Sequence, residues 1–275
     1  MFEKYDIKHL DKIEDKLLKY NCSLMSKQQR LFLNGIVRKF KPKKILELGV
    51  HKGGSSIIIL NSLDDIKNFH LFSIDLYPRH NLGLCVYNYF PKLIKNWKLF
   101  SGNIATKYME EIGKNIDMAF IDTAHFEPGE ILDFLMILPF LKKGALVGFH
   151  DIGHQINSAG WPNSRNEWAP YIIFNLIRGK KYLPSGNKIL TQDIGFVKLE
   201  NNQDKYIHDY FRALGGQWQY FPKEEHIELF RNFTKKYYDK ECLLIFDEAV
   251  EFNRCFIKNN PKEEFDYSLR KKYKK

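Results

Sequence analysis

Between residues 44 and 199, short runs of β-branched and aromatic residues alternate with helical segments. The runs are 45–50, 70–76, 97–100, 116–122, 145–151 and 194–199, and the central ones are almost wholly apolar. Runs this short and this apolar read as strands buried on both faces. Strands joined by crossover helices build a parallel sheet covered on both sides, and ligands then bind beyond the carboxyl ends of the strands.

Helices flank this core. Ile7, Leu10, Ile13, Leu17 and Leu18 recur at helical spacing. A second helix opens at Ser26, an N-cap with Gln29 three residues on, carries Leu31, Phe32, Ile36 and Val37 along one side, and stops at Pro42. Beyond Glu200 the chain turns to Tyr-, Phe- and Lys-rich helices, chiefly 226–257, with a basic end at 270–275. The expected division is N-terminal helices (1–40), a ligand-binding α/β domain (41–200) and a C-terminal helical extension (201–275).

Composition narrows the class. With 44% apolar residues, 22 Phe and 15 Tyr, the chain is too hydrophobic for disorder. The longest plain apolar run, 134–141, is far short of a membrane span, and the first twenty residues lack the apolar stretch of a signal peptide. Cys22, Cys85, Cys242 and Cys255 form no CxxC pair, so a cytoplasmic setting with reduced thiols is expected. The net charge of +10 suits an anionic partner, but a lysine-rich solvated surface is the favoured reading. No zinc-finger spacing, RNP motif or GXXG loop points to nucleic acid.

Residues 45–54 read ILELGVHKGG: a strand carrying Glu47, then Gly49, Gly53 and Gly54, then a helix from Ser55. Glycines there let the backbone approach a ligand, but the spacing is not the GxGxxG of a dinucleotide site. The next strand ends in Asp75, which can accept two ribose hydroxyls or merely cap a helix. After the third strand comes Ser101-Gly102-Asn103, where a side chain can reach adenine.

Glu-x-Gly-x-x-x-Gly-Gly, then strand-end Asp75, then IDMAFIDTAH and LKKGALVGFHDI, resembles the class I S-adenosylmethionine-dependent methyltransferases. Within them the likeness is to the branch of macrocin-type sugar O-methyltransferases and cephalosporin-hydroxylase-like proteins, over about residues 25–200. The expected fold is therefore α/β: a doubly wound, Rossmann-like, mostly parallel seven-stranded sheet. The resemblance implies S-adenosyl-L-methionine held by Glu47, Gly49, Gly53, Gly54, Ser55, Asp75 and Asn103. Asn103 stands where relatives commonly carry an acid.

Transfer from a sulfonium to an alcohol needs alignment, plus a base or a cation to stabilise the alkoxide. The fourth strand delivers Asp122 and His125, and the fifth delivers His150, Asp151 and then His154. The resemblance implies a divalent cation, magnesium or manganese, on Asp122, His150 and Asp151, with His125 as general base assisted by Asp122. His150 departs from the acidic residue of those relatives, and imidazole suits manganese, iron or zinc better than magnesium. Structural readings stay open: Asp122 as a helix cap and His150 as a lock between two loops. His154, Trp161, Arg165 and Trp168 are further candidates for acceptor contact; His51 reads as a loop residue.

The expected partner is a small-molecule acceptor, a sugar or nucleotide sugar methylated on oxygen in glycan or natural-product assembly. Two alternatives stay open. One is methyl transfer to a phosphate-type oxygen, an amine or nucleic acid, although no Asn/Asp-Pro-Pro-Tyr motif is present. The other is a non-catalytic assembly partner or homo-oligomer built through Leu229, Phe230, Phe233, Leu243, Leu244 and Phe246, which core packing explains as well.

Overall fold

The computed structural model describes residues 7–157, 167–185 and 192–259. Two helices come first, α1 (Lys8–Lys19) and α2 (Lys27–Phe40). Ser26 Oγ accepts the Gln29 N–H while Gln29 Oε1 accepts the Ser26 N–H, so two donors that a helix start leaves orphaned are satisfied. Lys41 turns left-handed just before Pro42, and α2 ends there.

The alternating region follows as β1 (Lys44–Leu48), α3 (Gly54–Asn61), β2 (His70–Asp75), α4 (Leu84–Tyr89), β3 (Trp97–Ser101), α5 (Met109–Ile112), β4 (Ile116–Ile121) and α6 (Gly129–Ile137). It continues through β5 (Leu141–His150), α7 (His154–Asn157), α8 (Ala169–Leu176), β6 (Gly179–Tyr182) and β7 (Ile194–Leu199). Three helices close the described chain: α9 (Ile207–Arg212), α10 (Glu224–Tyr237) and α11 (Lys240–Asn259).

Among the described residues seven strands form one sheet in the order β3-β2-β1-β4-β5-β7-β6. The first five are parallel, and β7 turns antiparallel to β5 and β6 to β7, giving the expected mostly parallel, doubly wound sheet. The strand invisible in the sequence is β6, Gly-Lys-Lys-Tyr, an edge strand whose two lysines are exposed. Without buried alternation it leaves no pattern to read. β5 also starts earlier than the apolar run, through exposed Lys142 and Lys143.

Alternate residues of the central strands feed two separate cores. Ile45, Met118, Phe120 and Leu146 point to the face covered by α1, α2 and α3. Leu46, Ala119, Ile121, Val147 and Phe149 point to the other face, where α6, α8 and the C-terminal helices lie. Tyr210, Phe211, Leu214, Trp218, Phe230 and Phe246 are buried in that second core, so residues beyond 200 cover one face of the sheet. Burying each such side chain contributes on the order of 1.5–3 kcal/mol. Phe230, Phe233 and Phe246 are thus occupied within the chain, whereas Leu244 stays exposed. Among the described residues no helix is long and apolar enough to cross a membrane.

Chain order reverses between β1 and β4, which lie side by side. A crevice therefore opens beyond their carboxyl ends, where the motif residues emerge.

Candidate active site

The loop after β1 is held from beneath. Glu47 is fully buried, and its carboxylate accepts hydrogen bonds from Ser55, Ser56 and Ser73, each at 2.6 Å. Trp97 Nε1 donates in turn to Ser73 Oγ at 2.8 Å. Glu47 and Ser55, expected at the cofactor, meet each other under the loop and fix the start of α3. Gly49 lies directly against the β4 loop: a Cβ there would sit 1.8 Å from the Asp122 carbonyl oxygen, and its φ is +85°. A Cβ at Gly53 would lie 2.6 Å from a Val86 methyl, and one at Gly54 2.5 Å from the Cys22 carbonyl oxygen.

Asp75 ties the second strand end to this loop. One carboxylate oxygen accepts the N–H groups of Val50 and His51 at 3.1 and 3.2 Å, and the other accepts that of Tyr77. Next to it, the Gly102 N–H donates to the Asp75 carbonyl. Asn103 is half-buried, with its Oδ1 against the Ile104 N–H. Gly49, Asp75 and Asn103 thus line one rim, and His51 is an exposed loop residue.

Burial pushes the Glu47 carboxyl up to about 7, against the lowering effect of the three hydroxyl donors. The native state therefore binds this proton more tightly than the unfolded chain. Its contribution is full below the ordinary carboxylate range and fades as pH rises through about 7. The displacement corresponds to about 3 kcal/mol across that window. Glu47→Gln should flatten the fall in denaturant-measured stability between about pH 5 and about pH 8. An unchanged slope would show that this carboxyl does not titrate there.

Beyond β4 and β5 lies a second group of side chains. Asp151 Oδ2 is 3.1 Å from both His125 Nε2 and His150 Nδ1, and Asp122 Oδ1 is 3.7 Å from His150 Nδ1 and 3.9 Å from His125 Nε2. Both His125 and Asp151 adopt left-handed backbone conformations, at φ +66° and +57°. Such positions cost about 1–3 kcal/mol each and concentrate at functional sites. His125 is held by α6: Glu130 Oε1 accepts its backbone N–H at 2.6 Å and lies 3.3 Å from Nδ1. Thr123 Oγ1 donates to Asp133 at 2.6 Å and lies 3.2 Å from Glu130 Oε1.

Charge and burial compete here. Burial opposes protonation of His125, but Asp151, Glu130 and Asp122 outweigh it and hold the imidazole at about 10. The same contest, won by Asp151 and Asp122, leaves His150 at about 9. Burial opposes the charge on Asp151, yet the two imidazoles keep its carboxyl well below the usual range; burial lifts that of Asp122.

The structure brings Asp122, His125, His150 and Asp151 into one cluster. His154 joins its margin, with Nε2 2.9 Å from Glu167 and Nδ1 3.9 Å from Asp151 Oδ1. Trp168 stands at the start of α8 against Tyr171. Trp161 and Arg165 lie outside the described residues. Sequence reading missed Glu130, Asp133, Glu167 and Asp193. Two acids three residues apart inside the apolar stretch EILDFLMI were the available signal for the first pair. Asp193 had none, because only the antiparallel β5–β7 pairing of His150 with Ile194 brings it beside Asp151. A cavity of about 370 Å³ opens at Asp193, lined also by Ser26, Gln28, Gln29 and Gln192.

A cation fits this cluster. Asp122, His150 and Asp151 each offer one ligand atom, all within 4.8 Å of one another. Both ring nitrogens of His150 are buried outside any hydrogen bond, and Nδ1 faces the carboxylates of Asp151 and Asp122, the chemistry a cation's ligands need.

Comparison with known proteins agrees with the topology. Residues 46–152 match the family model described as a methyltransferase domain. Among solved structures, an O-methyltransferase from Bacillus cereus in complex with SAH is 16% identical with a TM-score of 0.51, over 70% of this chain and 90% of that one. The O-methyltransferase TomG from Streptomyces achromogenes, involved in tomaymycin synthesis and solved with SAM, is 17% identical with a TM-score of 0.51, over 72% and 91%. Cofactor-bound Rv0187 from MTB is 13% identical with a TM-score of 0.53, over 71% and 92%. A search of curated proteins finds no match. Residues 46–152 thus match a methyltransferase-domain model, and the α/β region shares its fold with these O-methyltransferases.

Proposed function

We propose that the chain transfers the methyl group of S-adenosyl-L-methionine to an oxygen of a small polar acceptor, a sugar hydroxyl on a nucleotide-linked or phosphorylated carrier. The observation that carries this reading is the juxtaposition of two groups at one sheet edge. The Gly49 loop touches the Asp122 backbone, so a donor on the loop faces the His125–Asp122–Asp151 cluster across one residue.

In this reading Gly49, Gly53 and Gly54 admit the methionine portion, Asp75 accepts the ribose hydroxyls and Asn103 meets adenine. Glu47 acts as a positioning residue, because it is sealed beneath the loop. The amide-lined cavity beside Asp193 receives the acceptor, since Gln28, Gln29 and Gln192 suit a hydroxyl-rich molecule. A divalent cation on Asp122, His150 and Asp151 would stabilise the acceptor alkoxide and draw charge away from the carboxylates that hold the His125 proton. His125 then takes the hydroxyl proton at Nε2, with Glu130 fixing its ring.

Two measurements test this. Titration calorimetry should show S-adenosylmethionine binding that Asp75→Ala weakens by about 10–100-fold, the value of losing hydrogen bonds to a charged acceptor. Unchanged affinity would remove Asp75 from the donor site. Donor consumption across nucleotide sugars and sugar phosphates, with and without manganese, should pick out a hydroxylated acceptor. Turnover confined to amines or nucleic acid would overturn the acceptor class.

A further inference from the structure

We propose that the site holds two divalent cations rather than one, bridged by Asp151. The second lies on Asp151, His154 and Asp193. This rests on reading Asp122, His150 and Asp151 as a cation set, but not on methyl transfer.

The two oxygens of Asp151 serve different neighbours. Oδ2 faces His150 and His125 at 3.1 Å, whereas Oδ1 faces His154 Nδ1 at 3.9 Å. Asp151, His154 and Asp193 place one ligand atom each within 4.8 Å of one another, as Asp122, His150 and Asp151 do. One carboxylate shared between two such groups is the arrangement of two-metal sites.

His154 is prepared as a ligand. Glu167 Oε2 lies 2.9 Å from Nε2, and Glu167 is itself fixed by its backbone N–H donating to Gln155 Oε1 at 2.7 Å. A carboxylate on one ring nitrogen sets the tautomer that leaves the other nitrogen's lone pair free for metal. Here the freed atom is Nδ1, the one facing Asp151. Asp193 completes the set: Gln29 Nε2 donates to its Oδ2 at 3.4 Å, while Oδ1 is buried with no hydrogen-bond partner.

The charge around Asp151 favours cations. Asp122, Asp151, Asp193 and Glu167 bring four carboxylates together, and the ion-pair partners of Asp122, Asp151 and Glu167 among the described residues are histidines alone. Mixed imidazole and carboxylate ligands suit manganese.

Manganese alone is the probe, with the whole chain under equilibrium dialysis and electron paramagnetic resonance. Two ions per chain with an exchange-coupled spectrum are expected. His154→Gln and Asp193→Ala should each leave one uncoupled ion, and Asp122→Asn should leave one at the other position. His154 is half-exposed, so its variant reports even where Asp193→Ala fails to fold. One ion in the native chain, lost with Asp122→Asn but kept in His154→Gln, overturns the proposal and spares the single-cation reading. One ion lost only with His154→Gln overturns the proposal and the single-cation reading together, as does no ion at all.

Discussion

Replacing His125 with alanine is expected to lower kcat by about 10²–10⁴-fold, the range of a positioned general base. S-adenosylmethionine should still bind within a few-fold of the native affinity. The split follows from where the side chain is anchored. Glu130 accepts the backbone N–H of His125 and lies 3.3 Å from its Nδ1, while Nε2 faces Asp151 and Asp122. None of these partners belongs to the glycine loop or to Asp75, which hold the donor in the proposed reading. Removing the imidazole also leaves Asp151 with one fewer counter-charge, so the variant should melt lower and must be assayed well below its midpoint. Single-turnover methyl transfer, with the acceptor found in the screen, measures the chemical step, and calorimetry measures the donor. Native turnover in the variant would exclude His125 as base. Lost donor affinity would move it into the donor site instead.

Much of this architecture is legible in the residues because the physics is local. The Ser26–Gln29 capping box, the two-faced apolar strands and the glycine-rich turn each announce themselves within a few positions. β6 does not, since an edge strand with solvated lysines needs no hydrophobic pattern. The site was half legible for the same reason. Asp122, His125, His150 and Asp151 end neighbouring parallel strands, so topology alone assembles them. Asp193 arrives by an antiparallel return, and Glu167 only through its pairing with His154. Glu47 illustrates the opposite limit. Its position in the motif suggests ligand contact, but the three surrounding serines that bury its charge come from α3 and β2, and their convergence is a tertiary fact.

Gly49→Ala should be strongly destabilising, and comparison with Gly102→Ala shows why. Both glycines hold positive φ, +85° and +94°, so alanine is strained at either. That strain is worth about 1–3 kcal/mol. At Gly102 a Cβ meets nothing within 4 Å, and strain is the whole effect. At Gly49 the Cβ would lie 1.8 Å from the Asp122 carbonyl oxygen, a backbone atom that cannot swing aside. Pushing it away breaks the Asp122 N–H bond to the Leu48 carbonyl at 2.9 Å and spreads β1 from β4 where both deliver site residues. Overpacking of this kind adds about 1–3 kcal/mol, a large fraction of the roughly 5–15 kcal/mol that holds a domain folded. Urea denaturation should therefore rank the two variants clearly, with Gly49→Ala the less stable and devoid of donor binding. Gly102→Ala should lose only its strain energy. Equal losses would mean the two loops separate freely, and the donor loop would no longer be locked to the residue that carries the proposed chemistry.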